Sequence, residues 1–146
     1  MTSRSDAYAA LFALASNVVW GSPPKGFAGT SRRVRDWSSL PEQPYLCQAE
    51  NAETVAQVTR MPAKLTLEAS WIIYHTHGKG SDTVPADETN AILDAVFALF
   101  PTDDPDNAQT LDGRVHKAWI EGRVLKAQGD LDGQTMLVVP IKILMP

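Results

Sequence analysis

Hydrophobic and polar positions alternate most clearly between Lys64 and His75. Leu65, Leu67, Ala69, Trp71 and Ile73 take every second place, with Lys64, Thr66, Glu68 and Ser70 between them. Side chains on a strand point to opposite faces in turn, so this run predicts a long strand with one buried face. Near the N-terminus the period changes. Tyr8, Leu11, Phe12, Ala15 and Val18 or Val19 recur at steps of three and four, behind the N-cap candidates Ser5 and Asp6. That spacing predicts an amphipathic helix ending near Trp20. Pro85, the acidic pair Asp87 and Glu88, and the apolar set Ile92, Ala95, Val96 and Leu99 predict a second helix, stopped by Pro101. Shorter apolar runs predict strands at Ser31–Trp37, Tyr45–Glu50, Arg114–Val124 and Met136–Met145, the last two joined by a turn around Gly129, Asp130 and Gly133.

The order helix, three strands, helix, two strands predicts an α+β fold. Its expected form is a mainly antiparallel sheet of about five strands, with both helices on one face. Two segments read as flexible surface loops, Gly21–Thr30 and Thr76–Val84, because both are rich in residues that break helix and strand. At 146 residues the chain has the size of a single domain, spanning 1–146. No run approaches the roughly 20 apolar residues of a membrane helix, and the lone Cys47 suits a reducing compartment. A soluble protein, intracellular at synthesis, is the expectation.

Charge refines this picture. The net charge of -4 argues against a general nucleic-acid binder. Up to Lys64 there are seven basic and five acidic residues, a balance of +2; from Leu65 onward there are six and twelve, a balance of -6. A chain polarised in this way can pair unlike surfaces with copies of itself. Arg32, Arg33 and Arg35 form its only dense basic cluster, close to Trp37, and this composition is common at protein interfaces.

Catalytic and metal motifs are tempting but incomplete. His75 and His77 stand two apart, with His116 on a later strand, yet no Cys or carboxylate lies at a ligand spacing nearby. His77–Ser81 resembles half of a phosphate-binding loop and lacks its first glycine and the hydroxyl residue after Lys79. Asp103, Asp104, Asp106 and Asp112 suggest calcium, but Ala108 stands where an EF-hand starting at Asp104 needs an oxygen ligand. No acid, base and nucleophile set emerges, so the expectation is a protein without catalytic residues, cofactor or metal.

An ordered set of segments adds a resemblance. It comprises 8–14, 31–37, 43–46, 90–95, 109–116, 120–122 and 139–144. Together they resemble the tail terminator (tail completion, gpU-like) proteins of long-tailed bacteriophages and prophages, over nearly the whole chain. The resemblance implies a structural virion protein, assembled in the host cytoplasm, that forms a hexameric ring on the tail tube and stops its growth. Its implied partners are further copies of itself, the tail tube protein and the head-tail connector, and the ring encloses the DNA path without reading its sequence. Within that frame Arg32, Arg33, Arg35 and Trp37 are the expected subunit contacts. Head-tail joining proteins and tail tube subunits are the structural alternatives, and a small metal-binding enzyme using His75, His77 and His116 is the rival from another class.

Overall fold

A computed structural model of the chain describes residues 2–76, 85–101, 105–128 and 134–146. Helix α1 (Arg4–Ala13) opens on a capping box, in which the Ser3 hydroxyl accepts from the Asp6 backbone N–H and the Asp6 carboxylate accepts from the Ser3 N–H. The cap therefore sits two to three residues earlier than Ser5 and Asp6 suggest, and the helix tightens into a 3₁₀ turn over Leu14–Asn17 instead of running on to Trp20. Then come β1 (Gly29–Ser31), β2 (Tyr45–Ala56), β3 (Lys64–Thr76), α2 (Pro85–Ala98), β4 (Lys117–Ile120), β5 (Leu125–Gln128) and β6 (Gln134–Leu144). The expected α+β order is present. The sheet has six strands because the strand expected over Arg114–Val124 is shorter, Lys117–Ile120, and a further one, Leu125–Gln128, follows it after a break.

The division has a local cause. β4 pairs with β6 from Ile141 to Leu144 and β5 pairs with it from Thr135 to Val138, leaving Val139 and Pro140 opposite the break. The Pro140 carbonyl accepts from Glu121 N–H, so its nitrogen faces the same side and has no hydrogen to offer. Gly122, at φ 121°, turns the chain there, and a Cβ on it would sit 3.2 Å from the Pro140 ring.

The strand order is β1-β2-β3-β6-β4, with β5 also on β6; every pair is antiparallel except β1 with β2. Register assigns Leu46 and Gln48 to the same face as Leu67, Ala69, Trp71 and Ile73 of β3 and Leu137, Val139, Ile141 and Ile143 of β6. Tyr8 and Leu11 of α1 and Ile92 and Val96 of α2 join these residues in one buried core, so both helices cover that face. Gln48 ties the layers together: it accepts from the Trp71 indole and donates to the Tyr8 carbonyl, each at 3.0 Å. On the outer face Tyr45, Cys47 and Tyr74 form a smaller cluster against Leu40.

β1 pairs only with Tyr45–Cys47. From Gln48 to Ala56 the outer edge of β2 has no partner strand among the described residues, and a bulge interrupts its pairing with β3 between Glu50 and Ala52. Among the described residues no helix is long and apolar enough to cross a membrane.

Candidate interaction surface

The strand expected over Ser31–Trp37 ends at Ser31, because local side chains capture the backbone. The Ser31 hydroxyl accepts from Arg33 N–H and donates to the Arg33 carbonyl, both at 3.0 Å. Asp36 then caps a 3₁₀ turn over Trp37–Ser39. The chain bends out of the sheet and lies against its outer face, where the Tyr74 hydroxyl donates to the Arg35 carbonyl.

The three arginines consequently differ. Arg32 forms an ion pair with Glu50 at 2.6 Å. Arg35 donates to the Ser39 carbonyl at 3.1 Å and lies over the Tyr45 ring, 5.8 Å from its centroid. Arg33 is exposed and its guanidinium has no ion-pair partner among the described residues. Val34 and Trp37 flank it, 54% and 46% exposed. Within this segment the fold presents Arg33 without an ion-pair partner among the described residues, Asp36 beside Trp37, and two large exposed apolar side chains, with Arg32 and Arg35 holding the segment in place.

The opposite layer carries unlike charge. The outward stripe of α2 consists of Asp87, Asn90, Asp94 and Phe97, all exposed, at the three- and four-residue spacing of one helix face. Neither aspartate has an ion-pair partner among the described residues, and Phe97 is 44% exposed. The acidic stripe belongs to the helix layer, whereas the basic segment runs from the edge of β2, where Arg32 reaches Glu50, onto the outer face at Arg35.

The segment Gly21–Thr30, expected to be a flexible loop, is fastened at several points. Trp20 and Lys25 exchange backbone hydrogen bonds at 2.9 and 2.8 Å, Phe27 packs against the Trp20 ring, and Ala28 N–H donates to the Pro44 carbonyl. Lys25 and the Trp20 indole both reach Glu88 on α2, at 2.9 and 3.1 Å. Partial burial by itself raises the Glu88 carboxyl, but the hydrogen bonds from Lys25 and Trp20 outweigh it and hold the group below the usual range.

The histidines do not converge. His75 is buried on the helix-covered face, its Nε2 3.0 Å from the Thr89 hydroxyl. It sits opposite Thr135 on β6, whereas His116 is exposed and bonds through its backbone to Leu144. Nine strand residues separate those positions, about 30 Å, so the two cannot share an ion. His77, the phosphate-loop-like stretch 77–81, the loop 76–84 beyond Thr76, the turn at Gly129, Asp130 and Gly133, and Asp103 and Asp104 lie outside the described residues. Among the described residues no group of three metal-ligating side chains occurs. Cys47 is fully buried, and burial pushes its thiol up, away from the reactive thiolate.

No known family profile and no curated protein sequence matches the chain.

Proposed function

We propose that this protein is a non-catalytic ring subunit of the tail terminator type, which caps the tail tube of a long-tailed bacteriophage, ends its polymerisation and offers its other side to the head connector. One observation supports the reading above the others. The subunit carries a segment with Arg33, Val34 and Trp37 beside the edge of β2 and, as a separate surface, an acidic, aromatic stripe on α2. Cyclic rings are built from heterologous contacts, in which two different patches of one subunit meet the complementary patches of its neighbours. The net charge of -4 is compatible with enclosing DNA without retaining it, since a phosphate backbone is held mainly by Lys and Arg.

The test is genetic and visual. Deleting the gene from its phage and imaging particles by electron microscopy is expected to give overlong tails unattached to heads. Absence of tails altogether would reassign the protein as a tail tube subunit, and normal-length tails detached from heads would reassign it as a joining protein.

A further inference from the structure

The two surfaces carry unlike charge. Each surface offers unneutralised charge beside a half-exposed aromatic ring, basic with Trp37 on one side and acidic with Phe97 on the other. Exposed aromatic residues and arginines are the side chains that most often anchor protein contacts.

We infer that these surfaces bind one another between copies of this chain, Arg33 of one subunit meeting Asp94 of the next while Val34 and Trp37 cover the next subunit's Phe97. Because the patches are separate surfaces of one subunit, the contact is heterologous. Each bound copy leaves one basic and one acidic surface open, and association continues until it closes on itself. The inference rests on the ring reading and adds the residues that would build the ring. It also separates the roles of the basic cluster. Arg33 makes the contact, while Arg32 and Arg35 shape the segment through Glu50, Ser39 and Tyr45.

The experiment is a charge swap read by native mass spectrometry and light scattering on the full chain. The wild-type protein is expected to form a closed oligomer. Arg33→Glu and Asp94→Arg should each weaken subunit association about tenfold or more, and the double variant should regain most of it. A second measurement does not depend on charge. Cys47 is buried, and residue 34 lies beside the edge of β2 whereas residue 97 is on the outward stripe of α2, so Val34→Cys with Phe97→Cys should give an oxidised ladder of linked subunits without an internal bridge. Either cysteine variant alone should give none. An oligomer unmoved by both reversals, or Val34→Cys linking to itself, would overturn this pairing and leave the ring reading standing. A wild-type chain that stays monomeric at every concentration and in assembled tails would overturn both.

Discussion

Gln48 is the residue whose removal most directly tests how the helix layer is attached to the sheet. It is buried, and it bridges two buried partners, the Trp71 indole N–H and the Tyr8 carbonyl of α1. In Gln48→Leu the side chain keeps most of its volume, but the indole donor is left in an apolar interior. An orphaned buried donor costs about 1–3 kcal/mol. The Tyr8 carbonyl lies within α1, where helical N–H groups already serve it, so its loss adds less than about 1 kcal/mol. A net destabilisation of about 2–3 kcal/mol follows, or about 4–12 °C in Tm at this chain length. Urea unfolding followed by circular dichroism should show a lower midpoint with an unchanged slope. Trp71→Phe removes the donor, so in that background Gln48→Leu should cost about 1–2 kcal/mol less than it does in the wild type. A Gln48→Leu midpoint equal to wild type, or strict additivity with Trp71→Phe, would refute the bridge.

Two further predictions concern the segments that frame the interaction surface. A Cβ on Gly29 would lie 2.4 Å from the buried Tyr45 ring, so Gly29→Ala should destabilise the fold by about 1–3 kcal/mol and loosen Arg35, measurable as a lower Tm. An unchanged Tm would show that the ring has room to move. Glu88→Gln should lose about 0.5–1 kcal/mol at pH 7, since the partners of this carboxylate are partly solvated. The folded carboxyl lies below its unfolded value, so its contribution is present above the unfolded pKa of about 4.3 and lost as pH falls through the folded one. The difference between variant and wild type should therefore begin to shrink as the pH falls below about 4.3 and be gone once it is below the folded pKa, and a difference that grows with acidity would reverse the assignment.

The long strand and the second helix were legible because each answers to one constraint. β3 buries a whole face, so its apolar positions recur at every second residue from Leu65 to Ile73, and α2 is bracketed by Pro85 and Pro101. Segments decided by neighbours were not. Arg33, Val34 and Arg35 alternate like a strand, yet among the described residues no strand pairs with them, and Ser31 and Asp36 turn the backbone away. The break between β4 and β5 depends on Pro140, a residue of the partner strand, which no local window around Gly122 contains. The same limit applied to the surface. The basic cluster stood out as composition, but which arginine is free depends on Glu50, Ser39 and Tyr45. The α2 stripe is not evident from the sequence, because Asp87 is accounted for by the helix dipole and Asp94 by no motif. Asp94, beyond the first turn and beside an exposed Phe97, was the available signal.

The open edge of β2 bears on how such a protein avoids harming its own cell. Nine consecutive residues with unpaired backbone on one side are a template for indefinite strand addition, the route to insoluble fibres. Here the bulge between Glu50 and Ala52 puts the edge out of register for a flat neighbour, and two ion pairs, Arg32 with Glu50 and Arg4 with Glu53, stand along it. An incoming strand would have to break those pairs while failing to complete its own ladder. Backbone pairing, which has no natural end, is thereby disfavoured along this edge.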